Sequence, residues 1–355
     1  MIEQGGILES RTCEVLIELN KFVNRLEPGR TETEVLNKRL SDYSGRLLFI
    51  WLTIKRGEAV PVRKPKIAVV GAGKVGSALA LLLNQQGYPV NGVASRSITS
   101  ASRVAEQLNV PATTKPAEVT AGAEVVFITT PDRVIAQVAA EIEERGGFKP
   151  NQVVFHTSGA HAADEVGAAR RSGALAASLH PLQSFADVKM AMENLPGSYF
   201  ALEGDQEALP LAEQIVKDLG GKSFFIAAKD KPLYHAAACI ASNYLVSLMH
   251  FATGLYSRFG LTREEAFAAL YPLVRGTINN ISQVGPASAL TGPVARGDGP
   301  TLAGHLEAFK EVGEEERDLY CKLGLYTVKV AVEKGTINAE EAKKLEGIFG
   351  GAVNE

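Results

Sequence analysis

The sequence predicts an α/β protein in which a doubly wound, mostly parallel sheet is followed by an all-helical C-terminal domain. Three observations carry this prediction. Between residues 66 and 228, short apolar runs alternate with helical stretches, which is the signature of a parallel sheet covered on both faces. After Ala228 the strand-like runs stop and long helical periodicity takes over. The length of 355 residues, at about 150 per domain, suits two domains and an extension.

Taken in order, residues 1–64 carry helical patches, with Val15, Leu16, Leu19 and Phe22 at 3–4 spacing, and no chemical motif. They read either as a helical extension or as an upstream mis-start, joined to the rest by a linker over 57–65. Residues 67–70 form a buried strand that runs into Gly71-Ala72-Gly73-Lys74-Val75-Gly76 and a helix over 77–86, ended by Gly87-Tyr88-Pro89. Further strands are expected at 90–94, 110–112, 124–129, 153–156, 174–179, 199–202 and 223–226. Helices are expected at 100–108, 135–144, 162–171 and 207–219. These elements make one domain over 65–228. Helices at 233–259, 264–274, 301–316, 318–334 and 339–348 make a second over 229–350.

Composition bounds the function. Hydrophobic residues are 46% of the chain and charged residues 22%, enough apolar surface for a sizeable core. With 37 basic and 40 acidic residues the net charge is −3, which offers no footprint for nucleic acid. Cys13, Cys239 and Cys321 are scattered with no CxxC pair, which fits a reducing compartment. His161, His250 and His305 lack ligand spacing, so no metal is expected. The apolar run at 47–54 is about half the length needed to span a bilayer. Glu3 and Glu9 stand where a secretory signal would be basic. A cytoplasmic protein without membrane attachment is the expectation.

A strand, then GxGxxG, then a helix and a second strand form a Rossmann-type dinucleotide fingerprint. Gly71 permits the tight turn, Gly73 admits a pyrophosphate, and Gly76 lets the helix pack on the strand. Lys74 and Val75 complete the turn, whose helix N-terminus faces the phosphates. An NAD site carries Asp or Glu at the end of the second strand. Here Ser95-Arg96-Ser97 stands there instead, free of any carboxylate that would repel a 2′-phosphate. A charge-assisted bond from Arg96 contributes about 1.5–3 kcal/mol, and the cofactor expected is NADP (NADPH). Thr129 and Thr130 end the fourth strand and should lie near the nicotinamide ribose. Asp132 beside them is either a helix N-cap or a cofactor contact.

The chemistry is expected at the carboxyl edge of the same sheet. His156-Thr157-Ser158-Gly159 follows one strand and Ser178-Leu179-His180-Pro181 ends the next. Hydride transfer to a carbonyl or imine needs a proton donor, and His180 is the candidate, oriented or assisted by Ser158. Lys231, His235 and Asn243 lie on the first long helix, where His235, Cys239 and Asn243 share a face at helical spacing. His235 and Asn243 either line a substrate pocket or cap a helix contact. Arg296 either clamps a substrate carboxylate or pairs with Asp298.

Four stretches together resemble a known superfamily over about residues 65–345. They are the glycine turn 71–76, SLHPLQSF at 178–185, Tyr234-His235-Ala236-Ala237-Ala238 with Ser242-Asn243, and TGPVARGD at 291–298. The resemblance is to the 6-phosphogluconate-dehydrogenase-like reductases, and most closely to a bacterial family with a Rossmann-like domain followed by a C-terminal domain of unknown function. Pyrroline-5-carboxylate reductase, prephenate dehydrogenase, ketopantoate reductase and the deazaflavin-dependent NADP oxidoreductases are related to it. The resemblance implies an NAD(P)-dependent oxidoreductase, commonly dimeric through its helical domain; with the Ser95-Arg96-Ser97 reading, the expectation is an NADP-dependent enzyme acting on a small, carboxylate-bearing substrate. In prephenate dehydrogenases the His of a His-Pro pair contacts the substrate hydroxyl and a Ser lies in the preceding strand-end loop. Those roles fall on His180 and Ser158. The Lys-x-x-x-Asn pair of the hydroxyacid dehydrogenases is not matched, because Cys239 stands four residues before Asn243. A ketopantoate-type or imine reductase, or a non-catalytic NADP-binding sensor, are the alternatives.

Overall fold

A computed structural model describes residues 63–351. The expectations for residues 1–62, including Cys13, lie outside these residues. The chain divides into two compact units after Ala238.

The first unit is built on eight strands: β1 Ile67–Val70, β2 Val90–Ala94, β3 Ala112–Thr113, β4 Val125–Ile128, β5 Val153–His156, β6 Leu175–Pro181, β7 Tyr199–Gly204 and β8 Lys222–Phe225. Their spatial order is β3-β2-β1-β4-β5-β6-β7-β8. All neighbours pair in parallel except β6 and β7, which are antiparallel. The helices are α1 Lys74–Gln85, α2 Ile98–Leu108, α3 Pro116–Thr120, α4 Ile135–Glu144, α5 Ala168–Arg171, α6 Val188–Asn194 and α7 Leu209–Asp218. Strand side chains alternate between two cores. Ile67 and Val69 pack on one face with α1, α2, α6 and α7, while Ala68 and Val70 pack on the other with α4 and α5. Burial on both faces explains why the central strands β1 and β4 read as unbroken apolar runs.

Local differences from the expected elements have local causes. Residues 162–171 do not form one helix; a 3₁₀ turn at Ala163–Val166 precedes the four-residue α5. The Glu203 carboxylate captures the Ala163 N–H at 2.7 Å, and Gly167 follows as a poor helix former. The third strand lies at 112–113 rather than 110–112, since it is the Pro111 carbonyl that receives the Val93 N–H. Helices α3 and α6 are additions, too short to show periodicity. The side chain of Asp187 caps α6 by accepting from the Met190 N–H.

The C-terminal helices begin with α8 Lys231–Cys239, a π-helical turn at Ile240–Tyr244 and α9 Leu245–Tyr256. They continue with α10 Arg263–Val284, α11 Gly299–Phe309, α12 Glu314–Lys334 and α13 Ala339–Gly351. A capping box of Thr262 and Glu265 starts α10, which runs on to 284 rather than stopping at 274. The break expected at residue 317 falls instead at Gly313, whose φ of +157° favours glycine. The second unit has its own core, with Leu302, Cys321, Val328, Leu345 and Phe349 buried together. The division after Ala238, rather than at 228, reflects how the first turns of α8 are tied to the sheet, as described below. The helical run Ala228–Phe259 is long and apolar enough to cross a membrane; an 18-residue window within it has mean hydropathy 1.2 and is 6% buried. It exceeds the run at 47–54.

Candidate active site

The glycine turn follows β1 and opens α1. Gly71 has φ +113°, and a Cβ there would lie 2.8 Å from the carbonyl carbon of Thr129. A Cβ on Gly76 would come within 2.0 Å of the Gly71 oxygen. Backbone packing thus requires both glycines. Around Gly73, in contrast, nothing lies within 4 Å of a Cβ position. The protein's own atoms make no demand for glycine there, which leaves an open cradle beside the α1 N-terminus.

A cleft of about 580 Å³ begins at this turn. Gly71, Gly73, Ser95, Arg96, Ser97, Thr129 and Thr130, all expected cofactor contacts, line it. Lys74 lines an adjoining cleft, and Gly76 is buried against the turn. Val75 packs towards the core. The Thr129 hydroxyl donates to the Gly71 carbonyl at 2.7 Å and so holds the turn. The Thr130 hydroxyl oxygen is buried with no hydrogen-bond partner, an arrangement that disfavours an empty cleft. Ser97 caps α2 by accepting from the Ser100 N–H at 3.4 Å. Arg133 also lines the cleft and escaped the sequence reading, which treated its loop only through Thr129, Thr130 and Asp132.

Across the sheet's carboxyl edge lie His156, Ser158, Ser178 and His180. His156 is fully buried. Its Nδ1 accepts from the Ser158 N–H at 3.1 Å, and its Nε2 then donates to the Ala162 carbonyl at 2.9 Å. Burial, aided by the Lys231 charge, pushes its pKa down to about 4. It is a neutral structural ring. The Ser158 hydroxyl donates to the Asp132 carboxylate at 2.9 Å and accepts from the N–H groups of Ala160 and His161, both at 3.2 Å. With its donor and both lone pairs committed, Ser158 shapes the loop. The expected pairing of Ser158 with His180 is replaced by a different partner. Asp132 does not cap a helix: the 3₁₀ turn Asp132–Val134 has no side-chain cap.

His180 pairs with Tyr234, its Nδ1 lying 2.8 Å from the tyrosine hydroxyl. The ring also meets Tyr234 and His235 edge-on, at 5.6 and 6.3 Å between centroids. Burial, then the charges of Lys231 and His235, lower the His180 pKa to about 4. Burial raises that of Tyr234 to about 12, so its hydroxyl stays protonated at neutral pH. The space beside Gly159 is filled by these rings; a Cβ there would lie 2.7 Å from His180 Nε2 and from His235 Cδ2.

Lys231 is the main residue the sequence reading named without giving a role. It is fully buried and donates to the Ser178 hydroxyl at 2.6 Å and to the Ser158 carbonyl at 3.1 Å. Burial lowers its pKa to about 8, against the opposing pull of Glu203 and Asp132. These bonds pin the first turn of α8 to the ends of β5 and β6. Sequence offered one signal, a lysine opening a long apolar helix, but not its burial.

The remaining candidates belong to the second unit. Asn243 is exposed and lies on the π-helical turn Ile240–Tyr244. Arg296 lies 3.9 Å from the Asp298 carboxylate and is 64% exposed, the solvated pairing that was one of its two expected states.

The Rossmann-like domain family matches residues 55–181, and the domain of unknown function DUF2520 matches residues 198–327. A solved protein of Thermotoga maritima is 30% identical and superposes with a TM-score of 0.55, covering 80% of this chain and 98% of its own. The chain belongs to the family that joins a Rossmann-like domain to DUF2520. Two more distant structures share the fold. One is a candidate NADP oxidoreductase from Bacteroides fragilis, with 21% identity, a TM-score of 0.59, and coverage of 77% of this chain and 99% of that one. The other is a 1-pyrroline-5-carboxylate reductase from Streptococcus pyogenes, with 17% identity, a TM-score of 0.52, and coverage of 81% and 100%. No curated protein matches the chain. The DUF2520 match begins at Ser198, so β7 and β8 complete the sheet from within the second family's range.

Proposed function

We propose that this member of the Rossmann–DUF2520 family is an NADP-dependent oxidoreductase acting on a small, carboxylate-bearing substrate. The observation that carries the proposal is the open cradle at Gly73, continuous with a cleft that holds a Thr130 hydroxyl and an Arg96 guanidinium, the hydroxyl buried and without a hydrogen-bond partner and the guanidinium without an acidic partner among the described residues. The residues present fit a dinucleotide. Gly73 and the α1 N-terminus would receive the pyrophosphate, Thr130 a ribose or phosphate oxygen, and Ser95, Arg96 and Ser97 the 2′-phosphate. When bound, the nicotinamide supplies or takes the hydride. The fold shared with the Streptococcus pyogenes reductase supports the substrate class.

His180 handles the proton. With its pKa lowered to about 4 it is neutral at physiological pH, suited to accept a proton from a substrate hydroxyl and to return it in the reverse direction. In the tautomer that serves this role, the Nδ1–H donates to the Tyr234 oxygen and Nε2 is left to accept the substrate proton. Tyr234 fixes the ring plane, and burial with the Lys231 charge keeps the ring neutral in the resting state. His235 bounds the site beside the ring.

A panel of 2-oxo acids, cyclic imines and a deazaflavin, followed by NADPH absorbance, tests the reading. At least one should oxidise NADPH, and His180→Asn should lower that turnover by about 10²-fold with NADPH affinity unchanged. Tight NADPH binding without turnover on any class, in either direction, would instead make the protein a sensor. Full turnover in the His180 variant would remove the histidine from the chemistry.

A further inference from the structure

The first unit has seven described arginines, which fall into two sets. Arg63, Arg145, Arg170 and Arg171 each have an acidic partner: Glu124, Glu141, Asp164 with Asp205, and Glu143 respectively. Arg96, Arg103 and Arg133 have none among the described residues, and all three line clefts at the glycine turn. Arg96 and Arg133 lie in the first cleft. Its one carboxylate, Glu141, is already neutralised by Arg145 at 3.3 Å.

Arg103 lies in a second cleft of about 640 Å³, between α1, α2 and α6. Lys74 and Lys189 line it too, against the single carboxylate of Glu193. The two clefts meet, because Ala72, Gly73 and Ser100 line both. The junction is therefore the open Gly73 cradle and the first turn of α2, directly after Ser95-Arg96-Ser97. Ser100 and Arg103 are three residues apart on α2 and share a face. Five cations against two carboxylates gather here, on a chain whose net charge is −3. Like charges brought together repel, so the arrangement is suited to a dense anion at the junction.

We propose that the 2′-phosphate of NADP is gripped from both clefts, by Arg96 on one side and by Arg103 with Lys74 on the other. Arg103 is then a determinant of the choice between NADP and NAD. This inference rests on the cofactor reading above. All three side chains are on the surface, and their replacement by Ala should leave folding unaffected.

The test is calorimetric titration of the intact protein, and of its Arg103→Ala and Lys74→Ala variants, with NADPH, NADH and adenosine 2′,5′-bisphosphate. Arg103→Ala should weaken NADPH by about 10-fold or more, as expected for a charge-assisted bond. The bisphosphate should weaken in parallel and NADH should stay within about 2-fold. Lys74→Ala should act in the same sense. A wild-type preference for NADPH that survives both substitutions overturns the two-sided grip and leaves the cofactor reading standing. Equal losses for NADPH and NADH overturn it as well, since the residues would then serve the shared part of the cofactor. A wild-type protein that binds neither dinucleotide overturns both readings.

Discussion

Lys231, His156 and His180 share the carboxyl edge of the sheet, and each departs from its solution pKa for the same reason: burial disfavours charge. The two histidines give a stability prediction with a definite sign. Their folded pKa values, about 4, lie below the unfolded value of 6.5. Between pH 6.5 and 4 the unfolded chain takes up protons that the native rings refuse, so stability falls as pH falls across that window. Each ring accounts for about 2 kcal/mol between pH 7 and 4.5. Urea unfolding at those two pH values should show this loss, and a flat profile would contradict the neutral assignment. Lys231→Met removes the buried cation at similar volume. The His180 titration, followed by NMR, should then move up from about 4 but stay below 6.5, because burial remains the larger cause. The position of His180 was legible, since a strand end followed by Pro181 delivers the ring to the edge. Its partner was not, because Tyr234 arrives on a helix 54 residues later.

At the scale of elements, the glycine turn separates structural from ligand-driven demand. Gly71→Ala forces a positive φ on a residue with a Cβ and drives that Cβ to 2.8 Å from Thr129. It should destabilise the domain by about 2 kcal/mol or more. Gly73→Ala meets open space and should leave the melting temperature nearly unchanged while weakening dinucleotide binding. Comparing melting and binding for the two variants checks this; equal melting losses would refute the distinction. The central strands were legible in sequence because they are buried on both faces, and the long helices because of their length. The C-terminal end of α10 and the break between α11 and α12 were not, since glycines at 285 and 313 with positive φ stand at these boundaries. Nor was the π-helical turn at Ile240–Tyr244, since no proline or glycine announces it.

For the whole molecule, the helical run Ala228–Phe259 and α10 leave large apolar side chains exposed, among them Leu233 at 77%, Val246 at 69% and Leu273 at 67%. Apolar surface on this scale usually marks an interaction face. We propose a homodimer through these helices, formed by a self-complementary contact. Light scattering at micromolar concentration should give twice the chain mass of 37.8 kDa, and Val246→Asp should shift it towards monomer. A monomeric wild type would refute this expectation.

The central claim, an NADP site at the glycine turn, is tested most directly by titrating the wild-type protein and Arg96→Ala with NADPH and NADH in the calorimeter. NADPH should bind about 10-fold or more tighter than NADH in the wild type, with the difference eroded in the variant. Equal affinities in the wild type, or no binding of either, would contradict it.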